Sequence, residues 1–586
     1  MKKSFSVRFV SCFFTLCLCI LLWACHTIDG VRTYSLDARQ TWGAQRNMPL
    51  LNDQLLEKNP VLYYQLAHES SRHPDTQKII ESLENLLISE EVKSSAYRRL
   101  GYLQSLYALG AVGKNEVNQA KIDFVREIAQ DFSPGVAIAM LGSFIPFSSL
   151  NNADRSFFEN VAQQNGIHIP GNCASNLAEL SKKDWFDGVV TVWVRAGYLM
   201  QQGLSFPKIS LGTGFFIDKQ GYLVTNYHVI GPYVERASYS GFSEITVEPA
   251  GSKTGRRMNV RVIGYSKETD LALLKVDDYV PRVAFSFADK SDVHTGDRVY
   301  ALGSPGGQTE TLTSGLVSHT ERRMIMPIGN VIQLDAAVNP GNSGGPMLND
   351  AGNIAGVIFA THTSFQGLSF ALPTDTVRAV LPLLMMAKGE AAALPFVGLG
   401  MTEVENGVEA SLVMRGSLIE RAGITSGASL LEVAGVFAGM QDQVFADLQL
   451  GLLHCFVNTL TRIVLRQDDK TQEVIVRLSR RSNRPALDVI RTTPVFALYG
   501  PMFGMVLRPL SNRMMFVQHV YPGSQAAMAG IKPKDTLVIY QTMLSFDKGQ
   551  KQPSSLVSIF RVTLETDAGM PRNMVLGGAL DANYWL

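Results

Sequence analysis

The chain has 586 residues, enough for about four domains of ~150 residues each. Its 53 Lys and Arg residues balance 52 Asp and Glu residues, and this net charge of +1 argues against a dedicated nucleic-acid-binding protein, which needs a basic face. With 46% hydrophobic and 18% charged residues, the chain can fill real cores and is not largely disordered. Beyond the first thirty residues no apolar run reaches the ~20 positions of a membrane-spanning helix, which excludes a polytopic membrane protein.

The N-terminus has the layout of an export signal. A basic stretch containing Lys2, Lys3 and Arg8 precedes an apolar stretch at 9–24 that is short for a membrane span. The sequence Leu22-Trp23-Ala24-Cys25 resembles the lipobox of bacterial lipoproteins, and this predicts a signal peptide at 1–24 and a lipid on Cys25. Trp23 departs from that motif, because a small residue is usual there, so an uncleaved signal anchor stays an alternative. Both interpretations predict a protein of the cell envelope or periplasm, held at a membrane surface.

Residues 45–182 are predicted to form a helical domain. Apolar residues such as Ile79, Leu83 and Leu86 recur at the three-to-four spacing of an amphipathic helix. The sequence does not indicate the role of this domain. Beyond the signal and Cys25, the remaining cysteines are Cys173 and Cys455, and sequence alone does not decide whether they pair.

The pattern changes to short strands near residue 188. Apolar, β-branched runs with Gly-rich turns predict strands at 189–194, 212–217, 244–248, 271–276, 299–302 and 355–359. Many short strands with few helical runs are typical of a barrel or a sandwich. A helical stretch at 374–388 ends this block, and two later segments each combine strands with a short helix.

Three stretches within the strand-rich block contain the residue types of a serine nucleophile and its base. They are Gly212-Thr213-Gly214-Phe215-Phe216 leading to Thr225-Asn226-Tyr227-His228-Val229, then Thr269-Asp270-Leu271-Ala272, then Asn339-Pro340-Gly341-Asn342-Ser343-Gly344-Gly345-Pro346. A serine hydroxyl is a poor nucleophile until a neighbouring base takes its proton, and a carboxylate can orient that base. In order and spacing, the three stretches resemble the HtrA family of trypsin-like serine proteases.

This resemblance implies a chymotrypsin-like double β-barrel protease over residues 186–388. His228 would be the general base, Asp270 would orient it and Ser343 would attack the substrate. Gly341, Asn342 and Ser343 would form the oxyanion hole, with the backbone N–H groups of Gly341 and Ser343 as donors. No metal and no organic cofactor are implied, because the three side chains supply their own acid, base and nucleophile.

The family alignment also suggests a substrate pocket and a regulatory loop. Ala337 and Val338 would form the pocket floor, and Ser369 and Phe370 would belong to the opposite wall. Because no acid lies at this floor, a medium aliphatic P1 residue such as Val or Ala is favoured over Lys or Arg. Between residues 317 and 335, a loop carrying Glu321, Arg322 and Arg323 is expected to sense ligand binding elsewhere and to shift the oxyanion turn.

Two α+β PDZ-like domains are predicted after the protease, at 395–482 and 494–586. Gly398-Leu399-Gly400-Met401 and Phe503-Gly504-Met505 resemble the loop that binds a peptide's C-terminal carboxylate in PDZ domains. The predicted peptide-binding residues are therefore Leu399, Gly400, Met401, Phe503, Gly504 and Met505. Such domains add an extended peptide to an open sheet edge. The alternative is that these segments are packing domains only.

Together these features predict a multidomain serine endopeptidase of the cell envelope that cleaves misfolded or unfolded exported proteins. The resemblance adds C-terminal peptides as PDZ ligands, a lipid anchor to the membrane and a homotrimer as the family's usual assembly. The alternative is a catalytically silent chaperone or scaffold that binds unfolded envelope proteins without cutting them.

Overall fold

Helices form the N-terminal part of the described chain. The computed structural model describes residues 51–580 except 70–73, 146, 168, 170–179, 202–203, 236–241, 251–254, 305–309, 325–326, 362–367, 405–406, 439–443, 482–501, 512–513, 522–523, 547–555 and 566–571. The helices are α1 (Asp53–Lys58), α2 (Pro60–Glu69), α3 (Thr76–Leu87), α4 (Glu90–Lys93), α5 (Ala96–Ala108), α6 (Lys114–Asp131), α7 (Pro134–Met140) and α8 (Asn152–Asn165). The predicted helical N-terminal region is thus confirmed.

Local sequence signals explain where several of these helices begin. Asp75 caps α3 by accepting hydrogen bonds from the N–H groups of Gln77 and Lys78. Asn151 caps α8 in the same way, and α8 ends at Gly166 in the left-handed conformation. Within the described residues, no helix combines the length and the apolar character needed to cross a membrane. The predicted signal peptide at 1–24, Cys25 and Cys173 lie outside the described residues, and Cys455 is a free thiol.

A seven-stranded antiparallel sheet opens the strand-rich block. Its strands are β1 (Val189–Gln201), β2 (Leu204–Phe216), β3 (Tyr222–Thr225), β4 (Ser243–Pro249), β5 (Met258–Asn259), β6 (Arg261–Ser266) and β7 (Leu271–Lys275), in the spatial order β5-β4-β1-β2-β3-β7-β6. The helix α9 (Tyr227–Val234) follows β3. Val190, Val192 and Val194 alternate into the core of this sheet, as expected for a strand with one buried face. The strand predicted at 212–217 is longer than expected, because it pairs with β1 beyond the buried part, where Phe206 and Ile209 are exposed.

A closed six-stranded barrel follows. Its strands are β8 (Arg298–Gly303), β9 (Thr311–Arg323), β10 (Asn330–Leu334), β11 (Pro346–Leu348), β12 (Ile354–Thr361) and β13 (Ser369–Pro373), and the helix α10 (Thr374–Met385) comes next. The prediction of a trypsin-like fold with β-barrel sheets is confirmed. The predicted loop around Arg322 is wrong: β9 extends to Arg323, and Arg322 pairs with Val331 of β10. The strand continues because hydrogen-bonded partners lie on both of its sides, β8 at one end and β10 at the other.

Two further antiparallel sheets lie after the barrel. The first contains β15 (Leu399–Val404), β16 (Gly407–Val413), β17 (Ser429–Val433), β18 (Val436–Phe437), β19 (Leu460–Gln467) and β20 (Lys470–Arg477), with the helices α11 (Leu418–Arg421) and α12 (Val444–Leu453). Beside it, β14 (Pro395–Phe396) pairs with β21 (Ser479–Arg480). The second contains β22 (Met505–Pro509), β23 (Met514–Val520), β24 (Thr536–Phe546), β25 (Leu556–Glu565) and β26 (Arg572–Leu580), with the helix α13 (Gln525–Met528). Tyr521 links the two sheets, because its hydroxyl donates to Glu409 Oε2 at 3.2 Å.

The helical region shares one hydrophobic core with the strand-rich block at 186–388, which is called the protease block below. That core runs from Leu100 of α5 through Trp185 to Leu381 of α10, and Phe456 extends it to the first of the two later sheets. Phe124 of α6 packs edge-on against Phe456, with ring centroids 5.7 Å apart. The helical region is therefore packed into the rest of the described chain and does not stand apart as a separate domain.

A buried polar contact fixes α7 to the protease block. The Ser133 hydroxyl donates to the Asp218 carboxylate, and both residues are buried. Burial raises the pKa of Asp218, while hydrogen bonds from Ser133 and from the backbone N–H groups of Tyr222 and Gln220 oppose that shift. At the adjacent Gly135, a Cβ atom would overlap the carbonyl oxygen of Ile217. The two backbones approach as closely as they do because residue 135 has no side chain.

We expect Gly135→Ala to destabilise the protein, because its methyl group would meet a rigid backbone oxygen. Overpacking of this kind costs about 1–3 kcal/mol. Chemical denaturation of the full chain measures the loss. Gly101→Ala is the matched control, because a Cβ at this position of α5 would meet only Thr459 Cγ2, at 3.4 Å. Equal stability of the Gly135 variant and wild type would contradict the close docking of α7.

Candidate active site

His228 and Asp270 meet at the ends of two neighbouring strands. His228 lies in the first turn of α9, just after β3, and Asp270 immediately precedes β7, which pairs with β3. His228 Nδ1 lies 2.8 Å from Asp270 Oδ2, and the backbone N–H of His228 donates to Asp270 Oδ1 at 2.9 Å. One carboxylate therefore holds both the backbone and the ring of His228, which directs the other ring nitrogen away from Asp270.

The backbone of Asp270 adopts an uncommon conformation. Its φ angle is 52°, in the left-handed region that Asp tolerates better than most residues. The Asp270 carbonyl accepts hydrogen bonds from Asn226 Nδ2 at 2.8 Å and from the N–H of Tyr227 at 3.2 Å. Asn226 thereby positions Asp270 without contacting His228 through its side-chain amide. No sequence pattern indicates this role, because Asn226 is visible only as a flanking residue of the His228 motif.

The pKa of His228 is raised above its ordinary value. Burial acts to lower it, but the hydrogen bond from the ring to Asp270 and the charge of that carboxylate outweigh burial. The side chain is nevertheless 46% exposed, so the ring remains open to an incoming substrate. The His228 ring can therefore accept a proton, and Asp270 stabilises the positive charge that the ring then carries.

Ser343 lies in the turn between β10 and β11, where the two halves of the protease block meet. Its carbonyl accepts from the N–H of Thr213 in β2, at 2.8 Å. At the next residue, Gly344, a Cβ atom would overlap Thr225 Oγ1 and would lie 3.0 Å from the N–H nitrogen of Asn226. The Ser343 turn is thus pressed against the segment that leads to His228. Among the described contacts, the Ser343 hydroxyl donates to the Phe359 carbonyl at 3.4 Å and forms no hydrogen bond with His228.

The backbone of the Ser343 turn leaves two N–H groups open. The carbonyls of Gly341, Asn342 and Ser343 accept hydrogen bonds from Thr213 Oγ1 (2.6 Å), the N–H of Gly345 (2.9 Å) and the N–H of Thr213 (2.8 Å). Within the part of the chain described, the N–H groups of Gly341 and Ser343 have no protein acceptor. Gly341 has a φ angle of 106°, which favours glycine. The N–H of Asn342 is engaged with the carbonyl of Asn339 at 3.0 Å, so only two of the three predicted residues offer a free donor.

Thr213 holds this turn from the first sheet. Its hydroxyl donates to Gly341 O and accepts from the N–H of Ser304 at 3.1 Å. Its backbone N–H donates to Ser343 O, and its carbonyl accepts from Thr225 Oγ1 at 2.7 Å. Thr213 is fully buried, so water cannot replace these partners. Beyond the position of Thr213 between two glycines, no local pattern indicates this role.

The predicted pocket residues differ in exposure. Ala337 is exposed, whereas Val338, Ser369 and Phe370 are buried. The Ser369 hydroxyl donates to the carbonyl of Ala336 at 3.0 Å, which joins the predicted wall to the predicted floor. Residues 362–367 of the predicted wall lie outside the described residues.

The predicted peptide-binding residues lie at the starts of two edge strands. Leu399 and Met401 begin β15, and their side chains are fully buried in the core of the first later sheet. Phe503, just before β22, and Met505, the first residue of β22, are also buried. Gly504 has a φ angle of 73°, and a Cβ atom there would overlap Ser524 Cβ. The side chains at these positions support the fold, and only the backbone of each loop can face a ligand.

Comparison with known proteins assigns the protease block. The family described as "Trypsin-like peptidase domain" matches residues 212–357, which include His228, Asp270 and Ser343. The chain is 31% identical over 305 residues to "Serine protease Do-like HtrA" from Lactococcus lactis subsp. cremoris, covering 47% of this chain and 72% of that relative. The chain belongs to the HtrA family of serine proteases.

Other HtrA relatives are matched over less of their length. "Probable periplasmic serine endoprotease DegP-like" from Halomonas elongata is 38% identical over 184 residues, 30% of this chain and 36% of the relative. The chain spans less than half of the length of several curated HtrA relatives that it matches. The solved structure "HtrA-type protease AlgW with decapeptide" is 22% identical, with a TM-score of 0.42 and coverage of 52% of this chain and 99% of that one.

In this HtrA-family chain we expect Thr213→Val to disrupt the Ser343 turn, because it keeps the side-chain shape but removes the hydroxyl. Gly341 O and the N–H of Ser304 would both lose a buried partner, at a cost of about 1–3 kcal/mol for each unsatisfied group. Denaturant unfolding and kcat/KM for a peptide substrate should both fall. Thr213→Ser keeps the hydroxyl and should retain most of the stability and most of kcat/KM. Equal behaviour of the two variants would show that the Thr213 hydroxyl does not hold the Ser343 turn.

The raised pKa of His228 predicts a pH dependence. Only the neutral ring can act as a base, so kcat/KM should rise as the pH increases through a value above the ordinary His pKa of about 6.5. Asp270→Asn removes the charge that raises this pKa, so the rise should move to lower pH while its plateau falls by on the order of 10³–10⁴. A pH profile of kcat/KM tests both effects. An unshifted rise in the variant would show that Asp270 does not set the His228 pKa.

Proposed function

We propose that this chain is a serine endopeptidase of the cell envelope that cleaves misfolded or unfolded exported proteins. One arrangement carries the proposal: the His228–Asp270 hydrogen bond of 2.8 Å lies beside a turn in which the N–H groups of Ser343 and Gly341 have no acceptor among the described residues. Membership of the HtrA family supports the same reaction. His228, Asp270 and Ser343 form the proposed triad.

The proposed reaction begins with rotation of the Ser343 hydroxyl from Phe359 O towards His228 Nε2. As Ser343 Oγ attacks the scissile carbonyl carbon, His228 takes the hydroxyl proton and Asp270 stabilises the resulting imidazolium. The carbonyl oxygen becomes an oxyanion and binds the N–H groups of Gly341 and Ser343. The C–N bond then breaks, and His228 gives its proton to the leaving amine. His228 then takes a proton from a water molecule, whose oxygen attacks the acyl carbon. The bond from that carbon to Ser343 Oγ breaks, and His228 returns the proton to Ser343 Oγ.

The proposed substrate preference is for a medium aliphatic P1 residue. The predicted floor at Ala337 and Val338 has no acidic side chain that would pair with Lys or Arg. Phe370 packs near Phe359, with ring centroids 6.4 Å apart, and Phe359 supplies the carbonyl that holds the Ser343 hydroxyl. An aromatic pair next to the nucleophile supports an apolar pocket of limited depth.

Ser343→Ala tests the proposed chemistry. We expect this variant to lose nearly all digestion of unfolded casein, because the nucleophile is absent while the fold is unchanged. Circular dichroism and melting temperature provide the control for folding. His228→Ala should lose a similar amount, and the double variant should lose no more, because the two side chains act as a unit. Casein binding without cleavage by the wild-type chain would instead favour the chaperone or scaffold alternative.

The two later sheets are proposed to be PDZ-like modules that bind C-terminal peptides. Among the described residues, β15 pairs only with β16 and β22 pairs only with β23, so each sheet keeps one edge strand directly after its predicted carboxylate loop. An extended peptide can add to such an edge through main-chain hydrogen bonds. The buried side chains of Leu399 and Met401 fix β15 in place, which would preorganise this edge.

Peptides with a free apolar C-terminus should bind at least ~10-fold more tightly than the same peptides with an amidated C-terminus, because loop N–H groups would hold the carboxylate. Fluorescence anisotropy with the full chain measures the two affinities. A Pro substitution at Thr402, in the middle of β15, removes a main-chain donor and should weaken binding to the first module. Equal affinity for the free and amidated peptides would leave these sheets as packing domains.

The envelope location is proposed from the export signal and from relatives named as periplasmic endoproteases. The lipid on Cys25 and the homotrimer stay predictions, because the described residues bear on neither of them. Detection of an intact N-terminus in the mature protein would favour the signal anchor over the lipoprotein.

A further inference from the structure

A large cavity lies where the helical region, the barrel and the first later sheet meet. Its volume is about 1310 Å³, larger than most small-molecule sites. The segment after α7 and helix α8 form one wall, the barrel and the start of α10 form another, and α12 closes the third side. The cavity is separate from the Ser343 turn, none of whose residues lines it.

Several residues that line the cavity carry hydrogen-bond donors without a partner among the described residues. Arg378 lines it and is only 2% exposed, and its Nη1 donates to Asp289 Oδ1 at 3.0 Å. The Nε and Nη2 atoms of Arg378 have no acceptor among the described residues. The same holds for Arg155 Nε and the Ser143 hydroxyl, which also belong to lining residues. A guanidinium can only donate, so the open groups of Arg378 and Arg155 require an acceptor, and the Ser143 hydroxyl can donate to one as well.

The N-terminus of α10 opens on the same cavity. Pro373 occupies the cap position and provides no side-chain cap, and residues 373–376 all line the cavity. The N-terminus of a twelve-residue helix carries a partial positive charge and unpaired N–H groups. Arg378 lies in the second turn of that helix. Both features favour the binding of an anion.

The remaining lining limits the charge and shape of the ligand. Carboxylates of Glu159, Glu321 and Asp375 also line the cavity, and Asp289 is already held by Arg378. They would repel a ligand with several negative charges. Apolar side chains line the cavity as well, and these are Phe147, Val293, Ile332, Ala446 and Leu450. A single anionic head with an apolar body matches this combination.

We propose that this cavity binds an amphiphilic anion, with one carboxylate or phosphate head at Arg378, Arg155 and the start of α10, and an apolar body against the aliphatic wall. Buried donors without an acceptor cost free energy, and the anionic head would supply the acceptors that they lack. The apolar body gains from leaving water. This binding does not depend on the proposed peptidase activity.

Isothermal titration calorimetry of the full chain with three short amphiphiles tests the proposal. Octanoate and octyl phosphate carry the two candidate heads, and octyl glucoside carries a neutral head on the same chain. We expect at least one anion to bind about tenfold or more tightly than octyl glucoside, and the tighter of the two anions identifies the head. Equal affinity for octyl glucoside, or no binding of either anion, would overturn the proposal.

Variants locate the binding within the cavity. Arg155→Gln should weaken the anion about fivefold or more and leave octyl glucoside unchanged. Arg98→Gln is the matched control, because Arg98 lies on the exposed side of α5 beside Glu91 and should have no effect. Arg378→Met should abolish the preference for the anion, but it leaves Asp289 unpaired. If Arg378→Met melts well below wild type, the test rests on Arg155→Gln. Unchanged anion binding by Arg155→Gln would then overturn the proposed position of the anionic head.

Discussion

The buried hydrogen bonds of Thr213 are the constraint on which the candidate active site depends. Thr213 belongs to β2 of the first sheet, yet its hydroxyl and its N–H hold Gly341 and Ser343 in the turn before β11 of the barrel. His228 and Asp270 come from the first sheet, and Ser343 comes from the turn before β11 of the barrel. The three side chains can act together only if the sheet and the barrel keep a fixed relation. Thr213 provides that relation through bonds that water cannot replace.

The helical region is fastened close to this point. Asp218 lies two residues after the end of β2 and accepts a hydrogen bond from Ser133, the cap residue of α7. Its Oδ1 also accepts from the N–H groups of Gln220 and Tyr222 at 3.0 Å. The turn between β2 and β3 is therefore held from the helical side. β2 carries Thr213, and β3 leads to His228, so the docking of α7 restrains both strands of the site. The shared core spreads this restraint over many apolar contacts.

The sequence predicted the protease block well because its signals are local. Apolar, β-branched runs predict strands such as β1 and β12, and the flanks of His228, Asp270 and Ser343 each carry a specific motif. The packing of the helical region against the protease block could not be predicted. An apolar face such as that of α6 has the same sequence pattern whatever surface it packs on. The extension of β9 to Arg323 could not be predicted either, because Glu is depleted in strands and the consecutive charged residues Glu321, Arg322 and Arg323 indicate a loop. The partners of Thr213 are distant in sequence, so no local pattern could reveal them.

Some peptide groups of the Ser343 turn are held by hydrogen bonds, and one is not. Carbonyls at Gly341, Asn342 and Ser343 are held, but within the described residues neither the carbonyl nor the N–H of the Pro340–Gly341 peptide has a partner. Rotation of that one peptide would remove a donor from the proposed oxyanion hole while breaking no hydrogen bond that the described residues form in the turn. Asp335, which starts this segment, is tied to β9, because its Oδ1 accepts from the N–H of Leu316 at 2.6 Å. A displacement of β9 would therefore reach the segment through Asp335, and it would meet the least resistance at the peptide before Gly341.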